Sequence, residues 1–81
     1  MPTILIYRGL RVMIYTNDHA PPHVHVLGPD QEARFDLFCD LGQVGFKDGV
    51  GFSWKQINAI GQFLTDHIHE LCNAWSQYHG L

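Results

Sequence analysis

The chain is short of positive charge, of cysteine and of long apolar runs, and each shortage removes a class of function. Five lysines and arginines stand against eight aspartates and glutamates in 81 residues, a formal charge of -3. That balance opposes sequence-independent attraction to a phosphate backbone. The six histidines qualify it, because their protonation near neutral pH reverses the sign. Two cysteines, Cys39 and Cys72, cannot build a secreted disulfide framework, and their spacing suits neither a zinc knuckle nor a Cys-x-x-Cys redox pair. Reduced thiols in a cytoplasmic protein are therefore expected. No stretch approaches the ~18 apolar residues that cross a bilayer, and no basic segment followed by an apolar one opens the chain, so no membrane association is expected. Also missing are a Ser-His-Asp order, a P-loop and a dinucleotide-binding glycine fingerprint.

What the chain does have is a concentration of histidine. His19-Ala20-Pro21-Pro22-His23-Val24-His25-Val26 places three imidazoles within seven residues. Proline fixes its own φ and biases its predecessor towards extended backbone, so the two prolines deliver the chain stiffly into a His-Val-His-Val strand. Alternation along that strand puts His23 and His25 on one face and Val24 and Val26 on the other.

Around this segment the pattern is that of a single α+β domain, an antiparallel sheet of three to five strands packed against one long C-terminal helix. Residues 4–7 and 12–15 read as strands joined by a tight type II′ turn at Arg8-Gly9-Leu10-Arg11, and 23–27 and 33–37 as strands joined across Gly28-Pro29-Asp30-Gln31. Pairing Leu27 with Glu32 sets His25 opposite Arg34 and His23 opposite Asp36, with Val24, Val26, Ala33 and Phe35 on the core side. Asp36 is then the carboxylate expected to orient His23. The glycine-rich stretch 41–51 reads as a connector containing at most a short strand near 43–46. Ser53 and Gln56 fit a capping box, and Ile57, Ile60, Leu64, Ile68, Leu71, Trp75 and Tyr78 form an apolar stripe ending at Gly80. One straight helix over that span is nearly 40 Å long. It overreaches a small sheet, which points to a homodimer contact through the helix.

The strings Met1-Pro2-Thr3-Ile4, Tyr15-Thr16-Asn17-Asp18-His19, Pro21-Pro22-His23-Val24-His25-Val26, Gly51-Phe52-Ser53 and Ala74-Trp75, with Ala33, Phe35, His67, Leu71, Tyr78 and Gly80, resemble a family of small bacterial proteins known as domain of unknown function 4160. The resemblance implies the toxin half of a type II toxin-antitoxin module, partnered by a cognate small antitoxin protein. It carries no mechanism with it. Asp40, Asp48 and several glycines before the helix make this chain less basic there than the resemblance leads one to expect, which weakens RNA binding.

Several readings of the histidines follow. In metal-independent RNA cleavage, His19, His23 and His25 serve as general base and acid and Arg34 stabilises the phosphorane, with Tyr15, Asn17, Asp18 and Asp36 as surrounding binding residues. In a metal reading, His23 and His25 hold a divalent ion such as zinc with His19 or Asp36 as third ligand; the ribonuclease reading requires no cofactor. In a third, the domain is non-catalytic and docks a protein partner. The plainest alternative is a hydrogen-bonded polar sheet face. Trp75 and Tyr78 are read as core or interface anchors, and His67 as a half-buried histidine supported by Glu70.

Overall fold

The computed structural model describes residues 3–80; Met1 and Pro2, which open the strings quoted above, lie outside the described residues. Five strands, β1 (Thr3–Tyr7), β2 (Leu10–Met13), β3 (His23–Leu27), β4 (Glu32–Phe38) and β5 (Gln43–Val50), precede two helices, α1 (Trp54–Asp66) and α2 (Ile68–His79). The strands form one antiparallel meander in the order β1-β2-β3-β4-β5. The α+β architecture is thus the expected one, and the strand count is at the top of the expected range.

The β3–β4 register is the one read from the sequence, with His23 opposite Asp36, His25 opposite Arg34 and Leu27 opposite Glu32. The backbone N–H of Gly28 donates to Gln31 O at 2.9 Å and closes the turn. Val24, Val26, Ala33, Phe35 and Leu37 are buried with Val12 and Ile14 under Ile57, Ile60, Leu64, Ile68, Leu71 and Trp75. On the opposite face, Met13, His25, Arg34 and Asp48 lie in one row across β2 to β5.

Four expectations are corrected. The first hairpin turns on two residues, Arg8 and Gly9, both at positive φ (49° and 80°), so β2 begins at Leu10. Two positive φ values are the type I′ pattern, whose twist suits flanking strands, rather than type II′. The connector 41–51 is largely a full strand: β5 pairs along the whole of β4, with a bulge where Lys47 lies between the partners of Arg34 and Phe35. Its glycines hid it, yet one serves the pairing. A Cβ on Gly49 would meet the Glu32 carbonyl oxygen at 2.7 Å.

The helical stretch is divided at His67, whose φ of -114° and ψ of 22° leave the helix. The molecule is only 33 Å in its longest dimension, so an unbroken helix of nearly 40 Å would overhang the sheet. Thr65 Oγ1 also donates to the Gly61 carbonyl at 2.8 Å, a contact that bends helices. The break keeps Ile68, Leu71 and Trp75 on the core while Tyr78 stays exposed. Trp75, fully enclosed, is a core anchor and not an exposed interface residue.

The fourth correction concerns the thiols: Cys39, just past β4, is disulfide-bonded to Cys72 on α2. Sequence spacing could not show this, because the fold brings together residues separated by 33 positions. A cross-link over that interval restricts the unfolded chain by about 2–4 kcal/mol. Denaturant unfolding with and without reductant is expected to show a loss of that size in the wild type. A Cys39→Ser/Cys72→Ser variant is expected to start at the lower stability and to be indifferent to reductant.

Candidate functional site

The site is assembled where the chain enters β3. After Tyr15 the backbone turns, with Asp18 N–H donating to Tyr15 O at 3.1 Å, and the segment returns through Pro21, whose peptide bond to Ala20 is cis, and Pro22. Pro22 O accepts from Leu37 N–H at 2.9 Å, fastening the segment to β4. This turn holds the Asp18 carboxylate over the histidine face.

Asp18 Oδ2 lies 2.9 Å from Nε2 of His23 and 2.9 Å from Nε2 of His25. The other ring nitrogen of His23, Nδ1, donates to Pro21 O at 2.8 Å. Both nitrogens of His23 are therefore engaged, and its side chain is only 3% exposed. His25 retains 13% of its side-chain exposure, and its Nδ1 has no hydrogen-bond partner among the described residues. The Tyr15 ring covers His25 at 4.3 Å, and Trp75 of α2 reaches His23 at 5.1 Å. His23 thus lies at the junction of sheet rim and helix.

The electrostatics follow from the same contacts. Burial pushes the Asp18 carboxyl up, but the hydrogen bond from His25, the charges of His23 and His25 and the hydrogen bond from His23 outweigh it and hold Asp18 below the ordinary carboxylate range. Burial and then the negative charges of Glu32 and Asp18 push the Tyr15 phenol up, against Arg11. Tyr15 is accordingly a neutral O–H at physiological pH.

Of the residues singled out in the sequence, Asp18, His23, His25 and Tyr15 converge. His19 is exposed and outside the cluster, Asn17 is exposed on the turn, and Arg34 pairs with Asp36 at 3.5 Å. The carboxylate on His23 is Asp18 and not Asp36, which the register had favoured. Asp36 faces His23 across the ladder but is taken by Arg34 two residues away on the same strand face. Asn-Asp after a strand is a turn signal, and only the closed turn shows that Asp18 reaches back over β3. Trp75 beside His23 had no signal, since nothing local connects α2 to β3. His67 pairs with Glu70 at 3.4 Å as read from their spacing.

Chemically, one carboxylate oxygen shared by two imidazoles can fix a loop, carry an ion pair or, with the same three atoms, ligate a cation; the three atoms all lie within 4.8 Å of one another. Asp18→Asn, which replaces an ionised acceptor by a neutral amide, is expected to destabilise the fold by about 1–3 kcal/mol in denaturant titrations at neutral pH. Because the Asp18 carboxyl is held low in the folded state, its contribution is fully present above the unfolded carboxylate value of about 4. It declines as pH falls through the lower folded value. The gap between wild type and Asp18→Asn should therefore persist at pH 5 and close only in stronger acid, while a gap that vanished by pH 6 would contradict this assignment.

Neither a curated protein nor a solved structure matches the chain significantly. The sequence profile of the family described as Domain of unknown function (DUF4160) matches residues 9–76, a span that takes in strands β2 to β5, the Asp18–His23–His25 cluster and both helices up to Trp75's neighbour Ser76, so the chain belongs to that family.

Proposed function

We propose that this domain acts by docking a protein partner, as the toxin component of a two-protein toxin-antitoxin module, and that the cognate small antitoxin adds to the open edge of β5. The observation that carries this reading is the edge itself. Among the described residues β5 is eight residues long, has a neighbour on one side only, carries exposed Phe46 and Val50, and has exposed Leu41 and Trp54 beyond its two ends. Unpaired N–H and C=O groups beside exposed apolar side chains are what an added strand needs: the ladder gives affinity and the side chains give specificity. Trp54 meets Phe46 edge to face at 5.6 Å and so presents a fixed aromatic surface. The mildly acidic charge also suits a protein partner better than a nucleic acid. A cytoplasmic place of action belongs to the same proposal, and there the Cys39–Cys72 bond would face a reducing environment.

Metal-independent endoribonuclease action by His19, His23, His25 and Arg34 is the competing reading, favoured by the partial access that His25 and Arg34 retain. Against it, His23 has no ring nitrogen left to exchange a proton with substrate in this arrangement.

Co-expression with the product of an adjacent small gene is expected to give a stoichiometric complex in which hydrogen exchange slows at amides 43–50. Val50→Glu/Trp54→Ala should abolish the complex with circular dichroism unchanged. A complex that leaves those amides unprotected would refute the edge assignment. Growth arrest that His25→Ala relieves, in a protein still folded, would move the function to RNA cleavage.

A further inference from the structure

We infer that Asp18, His23 and His25 form a binding site for a first-row divalent transition-metal ion, with Nε2 of each histidine and a carboxylate oxygen of Asp18 as ligands. The argument begins with His23. A carbonyl oxygen only accepts, so the 2.8 Å contact to Pro21 O places a proton on Nδ1. Nε2 of the same ring then faces Asp18 Oδ2 at 2.9 Å, and a carboxylate oxygen likewise only accepts. With a single proton on the ring, a lone pair points at a carboxylate lone pair inside a nearly closed space. Something positive must stand between them: either a second proton on a buried ring or a metal ion.

The surroundings match a metal ligand closely. A ligating histidine characteristically gives its other N–H to a backbone carbonyl, which fixes the tautomer and aims the free nitrogen, and Pro21 O does this for His23. Two ligands bound cis to one ion at about 2.1 Å each sit about 3.0–3.4 Å apart. The two Asp18–histidine separations, 2.9 Å each, need to open by only a few tenths of an ångström, and the two imidazole nitrogens, within 4.8 Å of one another, need to draw together by side-chain rotation. The sequence order also helps: His-x-His on one strand face supplies two ligands from rigid backbone, and the third comes from a turn whose return segment is tied to the neighbouring β4 by Pro22 O and Leu37 N–H.

Two imidazoles and one carboxylate select zinc, iron(II), cobalt or nickel over calcium and magnesium, which prefer all-oxygen sets. Three protein ligands also leave at least one position for water or an exogenous group. His25 is the weaker ligand of the two, because among the described residues its Nδ1 has no acceptor like the one His23 has.

The test is titration of the metal-stripped, full chain with Co2+, followed by absorbance, and with Zn2+, followed by thermal unfolding. One equivalent of Co2+ should produce visible d–d bands, and Zn2+ at about a hundredfold excess over Kd should raise Tm on the order of 10 °C. Mg2+ should do neither. His25→Gln is expected to weaken Co2+ binding and Asp18→Asn to weaken it further, while His69→Ala, on the exposed side of α2, leaves it unchanged. Imidazole nitrogen spectra of the wild type need no variant to fold: Zn2+ should shift Nε2 of both His23 and His25 and leave the Nδ1 proton of His23 in place. Absence of both the bands and the stabilisation, or binding that survives in Asp18→Asn and His25→Gln, would overturn the site.

Discussion

Enclosure of Val24 and Val26 between the sheet and the helices is the constraint on which the rest of the molecule depends. Both are fully buried, and each is worth about 1.5–3 kcal/mol against exposure. A slip of β3 by one residue would forfeit both and push two imidazoles into the apolar layer. The strand's period of two therefore gives His23 and His25 no alternative to the opposite face. β3 is also the middle strand of five, so its register is held from both sides, by β2 and by β4. The histidines are placed by what their neighbours bury, not by any attraction of their own.

That dependence explains which parts of the molecule were legible in the sequence. Wherever alternation met a definite turn, as between Leu27 and Glu32, pairing partners followed residue by residue. The capping box of Ser53 and Gln56 was equally local and formed as written, with Ser53 N–H bonded to Gln56 Oε1 at 2.8 Å and Gln56 N–H to Ser53 Oγ at 3.1 Å. β5 was obscured because Gly45 and Gly49 carry no side chain to show a face, and a bulge shifts the alternation between them. The break at His67 was invisible because the apolar stripe continues straight through it; only the short sheet demands the bend. Asp18 was recognised as a residue near the cluster, but its hold on both histidines is a property of the closed turn and not of any spacing.

The helices do more than roof the core. Cys72 ties α2 to the end of β4, and one turn further on Trp75 comes against His23. His79 stacks on the α2 tryptophan at 3.7 Å, with its Nδ1 donating to Trp75 O at 3.1 Å. The stretch from the cross-link to the helix end thus backs the histidine that is already fixed by Asp18 and Pro21. Sheet, turn and helix each supply one wall of the same small volume, so its geometry is shared among elements far apart in the chain.

Because a single oxygen atom of Asp18 serves both rings, the contributions of His23 and His25 are not separable quantities. Removing one ring deprives the anion of half its compensation and changes what the remaining ring is bound to. Removing the second then acts on a carboxylate already altered by the first. The pair has a coupling energy, and no single-residue value describes either histidine. For evolution this means that neither position can drift independently: a tolerable change at one is conditional on what stands at the other and on the acid five residues before the first.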